Sequence, residues 1–406
     1  MSARAKLVET ISEPVSVPTP AAQKMSVVVV EEIDALARYS EQWEALSERA
    51  IEPNPFYEPW MLLPAIRAFG ANRKLKFVLI FDPTHANPSG WPALRGFFPL
   101  EIKPAYEGLG TKLPLRTLSL WRHKYCYICT PLVSAGRARD TVDAFFEWVE
   151  SENLGCPLME FEQVPGEGPF RRLLVDHFNE SGRISFVSES FTRALFRPSA
   201  CANDYLSLAL PGIRRKELRR LEKRLSEAGR LDYCELGAGG EIGRWISEFL
   251  ELESISWKGQ EGRALLSRPE DRDFFVEAAR SAFDRGRLMM LALRVGGRPI
   301  AVKCNFMASD GSFAFKIAYD DEYARFSPGV LLEMENIRRL HDRPGTLWMD
   351  SCANPDNFMI NRLWPDRLTI QSIVIASGRT PGGLVVSSIP MLKWLNRKLL
   401  RRGVSR

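Results

Sequence analysis

The chain has 406 residues, too many for one ordinary core, so two units of roughly 150–200 residues each are expected. With 45% hydrophobic and 26% charged residues it has a soluble globular balance, and a net charge of +5 is too small to argue for nucleic acid without a motif. Seven scattered cysteines, an odd number, exclude a disulfide framework and point to a reducing, cytoplasmic setting.

Residues 1–25, with interspersed Ser and Pro and no apolar core, read as a disordered leader rather than a secretory signal. The first unit, 26–190, opens with a strand at Val27–Val30 and helices at Glu41–Arg49 and Trp60–Phe69. Strand material follows in Leu75–Asp82, Trp91–Ile102 and Leu115–Val133, then a helix at Arg139–Glu150. A strand at Leu158–Glu162, a helix at Gly168–Asn179 and a strand at Ile184–Glu189 close it. Cys126 and Cys129 form a C-x-x-C. On a strand over Lys124–Val133 they would face opposite ways, which argues against a metal or redox pair.

The second unit, 191–380, is clearer. A basic helix over Ile213–Ala228 has Leu218, Leu221 and Leu225 on one face. Eight Lys/Arg lie between Arg214 and Arg230 against three Glu, without interleaved aromatics, so a solvated face or contact with an anionic polymer, lipid or phosphate is the reading, and nucleic acid is not expected. From Leu231 the order is strand, helices Glu241–Trp257 and Pro269–Arg285, and strands Leu288–Val295, Pro299–Ala308 and Ser312–Ala318. Helix Val330–Leu340, strand Thr346–Asp350, a short helix at Asn357–Leu363 and strand Leu368–Ala376 complete it. The first unit repeats this order loosely, so two similar α/β units are expected. Residues 381–406 form a basic amphipathic tail, either a solvated helix or a peripheral contact with an anionic inner-membrane surface. No apolar run approaches the roughly 18 residues of a membrane span. His85, His123, His177 and His341 lack ligand-spaced neighbours, so no metal is expected. Neither a G-x-S-x-G elbow nor a phosphate-binding P-loop occurs.

Ser327-Pro328-Gly329 opens a helix directly after three antiparallel strands. A helix start of this kind leaves backbone N–H groups at its positive end, where a phosphate or diphosphate can sit. The same residues also serve as a plain cap, with Ser327 at N-cap and Pro328 at N1.

The element order, with Phe315-Lys316-Ile317-Ala318-Tyr319-Asp320, Ser327-Pro328-Gly329, Asn354-Pro355-Asp356 and Asn361-Arg362-Leu363-Trp364-Pro365, resembles the GNAT acyltransferase superfamily. Together with Trp257-Lys258-Gly259, Asn54-Pro55-Phe56-Tyr57, Trp121-Arg122-His123 and Thr130-Pro131-Leu132, it is similar to the branch of cellulose-biosynthesis (CelD-type) acetyltransferases over roughly residues 26–380. Two tandem GNAT-like domains, each a mixed, mostly antiparallel sheet flanked by helices, are implied. Doubled domains are also similar to Fem-type aminoacyl transferases. The usual donor loop, Arg/Gln-x-x-Gly-x-Gly/Ala, is replaced here by Arg325-Phe326-Ser327-Pro328-Gly329-Val330, which keeps one glycine. The first unit has no such loop.

The resemblance implies acetyl-CoA, or another acyl-CoA, as co-substrate and a hydroxyl or amine acceptor, saccharide-like in the cellulose branch. Phe315, Lys316 and Ile317 would flank the pantetheine, and Ser327, Gly329, Val330 and Leu331 would face the diphosphate. Asp350 is the candidate base, or else it braces the following turn. Tyr319 is the candidate acid for the leaving thiolate, or a packing residue. His123, Trp257 and Lys258 are expected toward the acceptor, with core packing the alternative for His123 and Trp257. A non-catalytic scaffold in a polysaccharide-synthesis complex is the rival outside the enzymes.

Overall fold

The computed structural model describes residues 24–86, 90–105, 115–152, 154–256, 261–377, 383 and 386–387. The leader up to residue 23, Trp257, Lys258 and nearly all of the basic tail lie outside the described residues.

In the first half, β1 (Ser26–Val30) is followed by α1 (Ile33–Ala37), α2 (Ser40–Ser47) and α3 (Pro59–Phe69). Strands β2 (Leu75–Ala86), β3 (Pro92–Pro104), β4 (Arg116–Leu120) and the short β5 (Leu132–Val133) come next. Then follow α4 (Ala138–Ser151), β6 (Leu158–Pro165), α5 (Pro169–Ser181) and β7 (Ser185–Phe196). The second half starts with α6 (Ala202–Ala209) and α7 (Gly212–Ser226), then β8 (Leu231–Glu235), α8 (Ile242–Ile255) and α9 (Pro269–Asp284). It continues with β9 (Leu288–Val295), β10 (Arg298–Ala308), β11 (Gly311–Tyr319), α10 (Pro328–His341), β12 (Trp348–Asp350), α11 (Phe358–Leu363) and β13 (Asp366–Ala376).

All thirteen strands form one sheet, in the order β1-β2-β3-β4-β6-β13-β7-β12-β11-β10-β9-β8, with β5 on β3. The pairing is antiparallel except at β4–β6 and β11–β12. The expected mixed, mostly antiparallel architecture is what is observed. The two halves trade their last strands: β13 lies between β6 and β7, and β7 lies between β13 and β12. The expected boundary at 190/191 falls inside β7. The exchange makes the sheet continuous, and α3 packs on α9 across the halves, with Phe69 and Phe274 centroids 5.3 Å apart.

The expected strand over Lys124–Val133 is not formed. Only Leu132–Val133 pairs, and the chain from Trp121 to Pro131 is a loop with a turn that wedges between the halves. Its β-rich composition is overridden because its aromatics pack on rings from both halves, Phe56, Phe69, Phe274 and Phe315. Tyr125 stacks on Phe274 at 5.3 Å, and Tyr127 meets Phe56 and Phe315 edge-on. In consequence the Cys126 and Cys129 sulfurs are not on opposite faces. They lie 3.7 Å apart in the core, both as free thiols. Sequence periodicity also missed α6, whose short apolar pattern lies in the expected seam.

Candidate functional site

The site is built around the join of β11 and β12. These strands pair in parallel over Gly311–Phe313 and Trp348–Asp350 only. Gly311 is required there, because a Cβ would lie 2.1 Å from the Trp348 ring. Past Phe313 the two strands diverge, and among the described residues no strand takes the place of β12 along the rest of β11. An edge of this kind can receive an extended ligand by main-chain pairing.

A β-bulge lies at the point of divergence. Opposite β10 the partners are Cys304↔Lys316 and then Phe306↔Phe313, so β11 carries one extra residue at Ala314–Phe315. The bulge turns Phe315 and Lys316 toward the same side. The Phe315 ring lies 5.9 Å from that of Tyr125, and the Lys316 ammonium lies 5.5 Å over the Tyr125 ring. The lysine is also paired with Glu253 at 2.7 Å. Glu253 is fully buried and accepts the Leu265 N–H at 2.8 Å. A cation inside an apolar strand is thus neutralised by Glu253 of α8.

Between the free edge of β11 and the segment 351–359 runs a groove in two sections. The inner section, about 240 Å³, is lined by Ala314–Ile317, Ser351–Asn354, Lys303, Glu333 and Tyr127. The outer section, about 440 Å³, is lined by Ile317–Tyr319, Asn354, Asp356 and Phe358. Beneath the inner section Lys303 pairs with Glu333 at 2.8 Å. Glu333 accepts from Asn336, which accepts from Asn305, each at 2.9 Å. This buried network fixes the floor.

Tyr319, which lines the outer section, lies against Gly329 in the first turn of α10. Ser327 stands at N-cap and Pro328 at N1, as the plain-cap reading has it, but Ser327 takes a left-handed conformation, φ 55°, and its hydroxyl makes no capping bond. The Val330 and Leu331 N–H groups both donate to the Ser327 carbonyl, at 3.0 and 3.1 Å. The expectation of three amides facing an anion is therefore reduced: Pro328 has no N–H, and Gly329 is the first-turn amide not engaged by Ser327. Gly329 lies against the Tyr319 ring, where a Cβ would be 3.4 Å from Cδ1. Val330 is half-buried and Leu331 buried.

Asp350 is completely buried and doubly held. Arg193 Nη2 donates to Oδ2, and the Cys352 N–H donates to Oδ1 at 2.9 Å. Arg193 also donates to the Tyr127 carbonyl at 2.9 Å. The carboxylate thus ties β7, the groove wall at Cys352, which has φ 52°, and the inter-half loop into one knot. This is the turn-bracing alternative. Tyr319 is half-buried, and burial with the Asp321 charge raises its phenol above the ordinary range. Burial likewise raises the Tyr127 phenol and the Cys352 thiol. His123 is not at the groove. It is 3% exposed and stacks on Phe69, and burial pushes its pKa down to about 3, so it is a neutral core residue.

Sequence reasoning missed the contributions of Tyr127, Arg193, Glu253 and the bulge. The only available signals were buried charges in apolar strands, which require partners that a single sequence does not identify. Among the described residues no group of three His, Cys, Asp or Glu could hold a metal ion.

On the other side of Asp350 lies a cavity of about 380 Å³ between the halves, lined by Glu52, Glu167, Arg197, Asp310 and Trp348 among others. Glu52 accepts the Phe170 N–H at 2.9 Å, yet burial dominates and raises its carboxyl to about 7. Between the ordinary 4.5 and 7 the folded chain holds a proton that the unfolded chain releases, so this group lowers stability as pH rises through that window. Glu52→Gln is expected to be more stable than the parent at pH 8 by on the order of 2 kcal/mol and equal to it near pH 4.5, as read from urea unfolding at both pH values.

Residues 213–358 match the family model of the acetyltransferase (GNAT) domain. This segment is a GNAT-type acetyltransferase domain. It contains β8 to β12 and the whole β11–α10 junction. A search of curated proteins gives no match. Among solved structures, a conserved protein of unknown function from Bacteroides thetaiotaomicron VPI-5482 superposes with a TM-score of 0.53 at 9% identity, over 86% of this chain and 100% of that one. FemX superposes with a TM-score of 0.52 at 10% identity, over 82% and 95%. At such identities the likeness is one of fold alone. The splayed strands β11 and β12 lie within the segment that matches the family model.

Proposed function

We propose that the protein is an acyl-CoA-dependent acyltransferase that moves an acyl group, acetyl in the simplest case, to a hydroxyl or amine of a cytoplasmic acceptor, saccharide-like and linked to exopolysaccharide or cellulose production. The observation that carries this reading is the groove where β11 leaves β12 at a bulge and runs outward to the start of α10. An extended pantetheine arm fits such an edge through its amides, and Gly329 N–H at the positive helix end suits the diphosphate. The acceptor oxygen or nitrogen attacks the thioester carbonyl, the C–S bond breaks, and the thiolate takes a proton. Tyr319, whose raised phenol stays protonated at neutral pH, is the donor of that proton. The acceptor's own proton leaves to water at the groove mouth. Asp350, proposed from sequence as the base, is better suited to hold the wall at Cys352, because both of its oxygens are taken.

A second reading, a Fem-like aminoacyl transferase, is favoured by the unpaired cations of α7. Titration calorimetry decides between them: saturable heat with acetyl-CoA and none with charged tRNA is expected. The opposite result makes the chain an aminoacyl transferase, and flat traces with both leave a binding scaffold.

A further inference from the structure

The outer face of α7 is unlike the rest of the surface. Lys216, Arg219, Arg220, Lys223 and Arg224 are all exposed, and none has an acidic partner among the described residues. Their spacing from Ile213 (Lys216, Arg220, Lys223) keeps them in one stripe along the helix, opposite the buried Leu218 and Leu225. At the stripe's start the surface becomes apolar. Ile213 is 85% exposed, Leu208 at the end of α6 is 82% exposed and Phe358 on α11 is 72% exposed. Phe358 and the α6–α7 turn border one shallow apolar groove of about 510 Å³, with Arg214 and Arg362 at its rim. Phe358 lines this groove, and Leu208 and Ile213 flank in sequence the Ala209–Pro211 turn that lines it, so exposed apolar side chains and a row of unpaired cations lie at one corner.

The geometry points to this corner as a docking surface for a lipid bilayer carrying anionic headgroups. The cations of α7 meet the negative surface, and Leu208, Ile213 and Phe358 enter the headgroup–acyl boundary. Charge alone would suit RNA equally. The apolar tip favours lipid, because its two most exposed members, Leu208 and Ile213, are aliphatic and offer bases no stacking platform, which leaves Phe358 alone for that role. No helix among the described residues is long and apolar enough to cross a membrane, so the contact is peripheral. The inference shares Phe358 with the outer groove section and does not rest on the tail beyond residue 381.

The test uses the full chain in sedimentation with vesicles of phosphatidylcholine alone or with 30 mol% phosphatidylglycerol added. Binding to the anionic vesicles only, weakened about tenfold or more by raising salt from about 0.1 to 0.5 M, is expected. Leu208→Ser/Ile213→Ser should cut the vesicle partition about tenfold or more, and Arg219→Glu/Arg220→Glu by a similar factor. All four positions are exposed, so unchanged thermal melts are expected to show that the variants fold. Equal partition on both vesicle types overturns the proposal. So does anionic binding unaffected by either variant, which would locate the contact elsewhere, such as the tail. RNA capture through the same cations with no vesicle binding overturns it in favour of a nucleic-acid face.

Discussion

Asp350→Ala is expected to lose about 3–5 kcal/mol of stability, because it leaves the Arg193 guanidinium, 3% exposed, without its counter-charge inside the protein. The loss should be far larger than the cavity from a small side chain would cause, since the buried cation and the Cys352 N–H both lose their acceptor. The double variant Arg193→Met/Asp350→Ala removes both charges and should recover much of the deficit, as read from urea unfolding of the four corners of the cycle. Asp350→Asn separates the structural role from a chemical one. An asparagine oxygen still accepts from Cys352 but no longer neutralises Arg193, so turnover and stability should fall together. A stable Asp350→Asn enzyme with turnover lost and donor affinity intact would restore the carboxylate as the base.

The distribution of what could be read in advance follows from the range of the interactions. Strands β9 to β11 and helix α10 have local causes: alternating apolar residues, the Gly296-Gly297 and Asp310-Gly311 turns, and Pro328 at the first helical position. Their bounds were therefore legible from the sequence. The traded strands β7 and β13 were legible as strands but not as neighbours, because nothing local distinguishes a strand that pairs within its own half from one that crosses. The segment Trp121–Pro131 misled in the opposite direction. Its Tyr, Trp and Ile content favours a strand, yet it is held as a loop by contacts with Phe56, Phe274 and Phe315 that lie far away in sequence.

The site divides in the same way. Gly329 and Tyr319 were placed at the groove by a helix-start pattern and a strand end, and they do touch. The one-residue bulge that aims Phe315 and Lys316 was invisible, because a bulge is a register property of two strands and not of one. A lysine in an apolar strand needs a partner, and for Lys316 that partner, Glu253, lies on α8 in what reads as an unremarkable amphipathic helix.

Gly329→Asp is the corresponding test of the donor end. In the free protein the backbone and a bare Cβ are tolerated, because Gly329 is not in a left-handed conformation and a Cβ meets Tyr319 at ordinary contact distance, but the position is buried. A carboxylate in the first turn of α10 is favoured by the helix dipole, but desolvating it against Tyr319 and Ile317 costs more, so the melting temperature should fall. With an acyl-CoA a further cost is added. A negative charge placed about 4 Å from a diphosphate costs on the order of 4 kcal/mol at an effective dielectric of about 20, so the dissociation constant measured by calorimetry should rise at least a hundredfold. Gly329→Ala adds the Cβ without the charge and should bind donor within a few fold of the parent. Equal affinity in the Asp variant would mean that the diphosphate lies away from Gly329. With Val330 and Leu331 already donating to Ser327, no other first-turn amide would then be left to hold it, and the donor would have to be gripped by side chains instead.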